Sequence, residues 1–239
     1  RLVEDFGGQG TIVEPRAVDL SATDIRHLQM TVAGDNVSAV GTHDVILALS
    51  VFHHMDDWQA VYAGLKAQCR FLVVELAHPA EVEMMKAVIR GAEQNTEPSY
   101  EHIIGEAQTI GFTEGPSKVK RPLLLVQCAA KGTVEAGRGV ASRMVAEGDF
   151  SRLGYSPYPG TLNLRVGRYD RRFFLEMPGL QVISSRTCSL YVPARIDGLD
   201  GDVHVTLQAG LEMIEILAPC RLRDHFGDGD EVTVRPRSY

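Results

Sequence analysis

The sequence has no Cys-x-x-Cys pair: its four cysteines, Cys69, Cys128, Cys188 and Cys220, lie far apart among 239 residues. That spacing argues against a disulfide framework, and the apolar surroundings of Cys69 and Cys128 make buried thiols of them. No run of about 18 apolar residues occurs, as a membrane-crossing helix would need, and no signal peptide can be read from the first residues. Cytoplasmic residence without a membrane partner is the expectation. A Lys/Arg run is missing too. Residues 1–130 carry 10 basic and 17 acidic side chains and residues 131–239 carry 14 of each, so the net charge of −7 belongs to the first half. Nucleic acid is therefore a poor partner, and a small-molecule substrate is the expectation.

What the chain does contain is sharpest at Pro157-Tyr158-Pro159-Gly160-Thr161-Leu162-Asn163-Leu164. Pro159 fixes its own φ and biases Tyr158 toward extended backbone, while Gly160 permits a turn that other residues resist. Thr161 and Asn163 then fall two apart on a predicted strand, so their oxygens leave one face. Two neutral oxygens beside a turn suit a Mg²⁺ whose other ligands are water and phosphate.

Two further segments frame that turn. Gly132 to Ala141 is a strand-like run that opens into Gly137-Arg138-Gly139, a loop whose backbone N–H groups can cradle phosphate. Met213-Ile214-Glu215-Ile216-Leu217-Ala218-Pro219-Cys220-Arg221-Leu222-Arg223 is an apolar strand with one acid, ending in two arginines. In this order the three segments resemble the CTP-dependent riboflavin kinases of archaea, a cradle-shaped β-barrel family, over about residues 131–237.

The resemblance implies CTP as phosphoryl donor and Mg²⁺ held by Thr161 and Asn163. It places Gly137, Arg138, Gly139, Val140 and Ala141 against the nucleotide, together with Cys220, Arg221, Leu222 and Arg223. Glu215 becomes the acid facing the acceptor hydroxyl, which suits a reaction that needs positioning, charge neutralisation and a base. Two departures stand out. Val140 and Ala141 replace the Glu-Gly that closes the family's phosphate loop. Asp202 to Gly210 lacks the family's Pro-(Lys/Arg)-x-Thr-x-His segment, which helps hold the flavin.

The first half reads differently. His43 to Ser50, Ala60 to Lys66 and Arg70 to Leu76 alternate as strand, helix and strand, a βαβ unit whose functional edge lies at the strand C-termini. Ser50 and Glu75 fall on that edge. Asp44-Val45-Ile46-Leu47-Ala48-Leu49-Ser50-Val51-Phe52-His53-His54 resembles the fourth strand of a class I S-adenosylmethionine-dependent methyltransferase. The stretch from Tyr100 to Val126 resembles that fold's last helix and antiparallel hairpin. The resemblance implies an α/β Rossmann-like domain with S-adenosylmethionine as cofactor, with Asp24 at the adenine and Ser50 at the cofactor edge. The fold's glycine-rich first loop and its ribose-binding acid have no counterpart here, so a longer parent protein is expected. His53-His54 with Asp56-Asp57 is not read as a metal site, because adjacent histidines at a strand end point apart.

Together these readings give two domains, 1–130 methyltransferase-like and partial, and 131–239 a riboflavin kinase-like barrel. The expected activity is riboflavin kinase-like, CTP-dependent phosphotransfer to a hydroxyl of a small molecule, coupled to methyl transfer by an S-adenosylmethionine-dependent domain. The alternatives are a bifunctional kinase and methyltransferase modifying a saccharide or other metabolite, and a catalytically inactive nucleotide-sensing barrel that regulates a methyltransferase. Arg165, Arg168, Arg171 and Arg172 are expected on a solvated strand and loop.

Overall fold

The computed structural model describes residues 10–14, 25–29, 32–49, 51–52, 55, 57–76, 107–114, 118–137, 145–146, 148–177, 179–183, 188–207 and 212–237. The chain divides into two compact units, residues 1–126 and 127–239.

In the first unit β1 (Gly10–Glu14) and β2 (Ile25–Gln29) form a parallel pair of their own. A second sheet holds β3 (His43–Leu49), β4 (Cys69–Glu75), β5 (Gln108–Glu114) and β6 (Lys120–Gln127), in the order β3-β4-β6-β5. β3 and β4 are parallel, and α1 (Trp58–Gln68) connects them, the βαβ unit that alternating patterns predict. α1 buries Trp58, Val61, Tyr62 and Leu65, one face at the i, i+3, i+4, i+7 spacing. Phe52 meets the edge of Tyr62 at 5.8 Å, and Gly64 leaves room for the short turn Val37–Val40, because a Cβ there would stand 2.2 Å from Val37 Cγ1.

β5 and β6 make the antiparallel hairpin. The result is a small mixed sheet with one parallel crossover. A Rossmann-like sheet needs several such crossovers, and among the described residues β1 and β2 pair only with each other.

The second unit is a closed barrel. Its strands are β7 (Ala130–Glu135), β8 (Leu162–Val166), β10 (Cys188–Ile196), β11 (Val203–Leu207), β12 (Met213–Leu217) and β13 (Glu231–Pro236), with β9 (Leu180–Ile183) attached to β10. The order β11-β12-β8-β7-β13-β10 returns to β11 through a β10–β11 pairing, and every pairing is antiparallel. Alternation decides which residues face inward: Val134; Leu162, Leu164 and Val166; Val192, Ala194 and Ile196; Val203 and Val205; Ile214 and Ile216; Val232 and Val234 share one core. Phe173, Phe174 and Leu222 complete it.

One expectation fails here. Arg168, Arg171 and Arg172 do not lie on a strand or loop but on α2 (Arg168–Leu175), preceded by extended Gly167. The helix forms because Phe173 and Phe174 enter the core and Asp170 stands in its first turn, where a negative charge is favoured. Arg165 alone remains on a strand, paired with Glu135.

Candidate functional site

Asn163 stands outward on β8, yet only 1% of its surface is exposed. Its register partners are Glu135 on β7 and Glu215 on β12; Glu215 faces Thr206 on β11, and Thr206 faces Tyr191 on β10. Directly opposed residues of antiparallel strands share a face. Glu135, Asn163, Glu215, Thr206 and Tyr191 therefore make a polar row across the outside of the barrel. Burial and, second, the charge of Glu215 push the Tyr191 phenol up to about 12, so it stays neutral below that pH.

A segment between β7 and β8 folds over this row. Phe150 and Leu153 pack on Tyr191 and Leu217 as a second, smaller core, with Phe150 edge-on to Tyr191 at 5.7 Å. Tyr155 lies partly buried against it, its hydroxyl 3.0 Å from Leu217 O and 3.0 Å from His204 Nδ1. Tyr158 N–H donates to Ala218 O at 2.8 Å, and Gly160 N–H to Tyr158 O at 2.7 Å. The chain thus arrives at Thr161 already tied to the end of β12.

Thr161 Oγ1 lies 3.4 Å from Asn163 Oδ1. Thr161 comes immediately before β8 rather than on it, but the two oxygens converge as the spacing predicts. Adjacent ligands of an octahedral Mg²⁺, each about 2.0–2.1 Å from the ion, stand about 3 Å apart, so the pair fits that ion with a small closure. Asn163 Nδ2 makes a long contact of 3.5 Å to Ala136 O, turning Oδ1 toward Thr161. Gly137 follows directly, and a Cβ there would lie 3.5 Å from Asn163 Nδ2.

The segment after β12 joins the same end of the barrel. Leu222 is buried in the core, while Cys220 and Arg221 are exposed, Arg221 with Asp224 3.6 Å away. Arg223 bonds Asp228 and the Glu135 carbonyl, so it braces the strand that leads into Gly137. Gly137, Thr161, Asn163, Glu215 and the 220–223 segment are therefore gathered on neighbouring strands and their ends. Arg138, Gly139, Val140, Ala141, Asp24 and Ser50 lie outside the described residues.

In the first unit Glu75 ends β4 as its sequence position predicts, but it is buried and pairs with Arg121 at 2.9 Å. That ion pair ties β4 to β6. The residues that sequence reasoning passed over are Tyr155, Tyr191, His204 and Thr206. Their partners are distant in the chain, and only the alternation of Val203, Val205 and Leu207 hinted that His204 and Thr206 face outward together.

Residues 130–235 match the family described as Domain of unknown function DUF120, the CTP-dependent riboflavin kinase model. The chain is similar to the riboflavin kinase of Halobacterium salinarum, 32% identical over 133 residues that make up 46% of this chain and 57% of that protein. Against the riboflavin kinase of Archaeoglobus fulgidus it is 35% identical over 96 residues, 35% of this chain and 41% of that protein. Against that of Aeropyrum pernix it is 36% identical over 125 residues, 44% of this chain and 92% of that protein. The chain thus spans about half the length of the first two relatives. No solved structure matches it.

Proposed function

The chain belongs, through its C-terminal half, to the CTP-dependent riboflavin kinase family, and from this premise we propose that its barrel transfers a phosphoryl group from CTP to a riboflavin hydroxyl. The observation that carries this reading is the convergence of Thr161 and Asn163 in register with Glu215. In it, Thr161 and Asn163 hold Mg²⁺, and the backbone at Gly137, Arg138, Gly139, Val140 and Ala141 receives the phosphates. Cys220, Arg221, Leu222 and Arg223 receive the nucleoside. The bound Mg²⁺ would offset the phosphate charge. Glu215 takes the proton of the attacking hydroxyl, for which a carboxylate beside the metal pair is well placed.

Riboflavin is favoured over a saccharide by the similarity to proteins named riboflavin kinases. The segment from Asp202 to Gly210 lacks the family's flavin-holding pattern, but it sets Thr206 directly opposite Glu215. Residues 131–239 are then the kinase domain. For residues 1–130 we propose a methyltransferase-like domain, for which the β3-α1-β4 unit and the β5–β6 hairpin speak.

Replacing Thr161 by Ala tests the kinase reading. The account expects phosphoryl transfer to fall at least a hundredfold while CTP still binds, because the nucleoside contacts lie on other segments. Wild-type turnover in Thr161→Ala would remove the metal pair from the reaction.

A further inference from the structure

We propose that Tyr155 is a positioning residue that locks the turn bearing Thr161 to the strand bearing Glu215; this rests on the kinase reading above. The hydroxyl of Tyr155 has one proton, and Leu217 O, 3.0 Å away, can only accept it. His204 Nδ1, also 3.0 Å away, must then donate to the phenol oxygen, which fixes the imidazole with its proton on Nδ1. His204 is 4% exposed, and its burial favours that neutral form.

The positions of the two partners give the bridge its reach. Leu217 follows Glu215 by two residues on β12, and His204 precedes Thr206 by two on β11, with His204 and Leu217 themselves in register. One hydroxyl therefore grips both strands that carry the acceptor-side residues. Three residues further on, the Tyr158 N–H bond to Ala218 O makes a second stitch, and the chain then has little freedom before Thr161. A phenylalanine ring would fill the same apolar place beside Phe150, Leu153 and Leu217. With the Tyr158 stitch, the hydroxyl fixes the direction in which the turn leaves, and so where Thr161 stands relative to Asn163 and Glu215, whose own spacing the β8–β12 pairing sets.

The test compares Tyr155→Phe, His204→Asn and His204→Leu with the wild type in steady-state kinetics with CTP, riboflavin and Mg²⁺, and in amide hydrogen exchange. His204→Asn keeps an N–H donor near Nδ1; His204→Leu does not. In His204→Leu, which loses one buried hydrogen bond, kcat falls about three- to tenfold, and in Tyr155→Phe, which loses two, it falls at least as far. The KM for riboflavin is unchanged, and exchange rises at Tyr158 but not in β7 or β13. His204→Asn stays within twofold of the wild type. An unchanged kcat in Tyr155→Phe overturns the proposal, and so does exchange that rises evenly through the barrel, which would mark a purely structural tyrosine. An inactive wild type instead refutes the kinase reading, and the proposal falls with it.

Discussion

Asn163 is buried because its neighbours need it there: one side chain faces Glu135, Glu215 and the backbone of Ala136 while its oxygen turns toward Thr161. A turn and two oxygens two residues apart are written in adjacent letters, so this part of the site was legible in the sequence. Tyr155 and His204 were not, because 49 residues separate them and only closure of the barrel makes them partners. His204 also has a consequence for stability. Burial, opposed by the charge of Asp202, holds its imidazole below the usual value of about 6.5. The unfolded chain therefore takes up the proton first as pH falls, and stability present above about 6.5 is lost as pH drops through the folded-state value. Urea midpoints between pH 8 and pH 5 should fall for the wild type and fall less for His204→Asn. Equal slopes in the two proteins would show that His204 is not held neutral.

The barrel strands were read correctly where one face is apolar, as in β12, where Ile214 and Ile216 alternate with Glu215. α2 was missed because its polar face, Arg168, Arg171 and Arg172, dominates eight residues, and of its three buried residues, Asp170, Phe173 and Phe174, two are apolar. A run that short has too few apolar positions to show its period. Closure also depends on Gly132. A Cβ at that position would stand 2.8 Å from the Arg165 carbonyl oxygen and 2.8 Å from Val166 Cγ1, and the first contact is backbone that cannot swing away. Gly132→Ala should cost about 1–3 kcal/mol by forcing β7 from β8, measured as a shift of the urea midpoint. No loss would mean that the strands part more readily than this packing allows.

For the molecule as a whole, the chain changes pattern from strand–helix alternation in the first unit to short strands with turns between them in the second. The first unit was the less legible in the sequence. In β3 the alternate residues Val45, Leu47 and Leu49 are 50%, 47% and 44% exposed, an apolar face that periodicity alone assigns to a sheet interior. The charge lies in this unit, and the chemistry we assign lies in the other. Among the described residues no helix is long and apolar enough to cross a membrane.

The central claim is that the barrel recognises CTP and passes its phosphoryl group to riboflavin. The most direct measurement is calorimetric titration of CTP, and separately ATP, into the protein with Mg²⁺, followed by riboflavin and an assay of the mixture for phosphorylated flavin. The account predicts binding of CTP in preference to ATP, riboflavin joining the complex, and flavin phosphate with CDP as products. Failure of CTP to bind, or CTP binding with riboflavin left unphosphorylated, would contradict it.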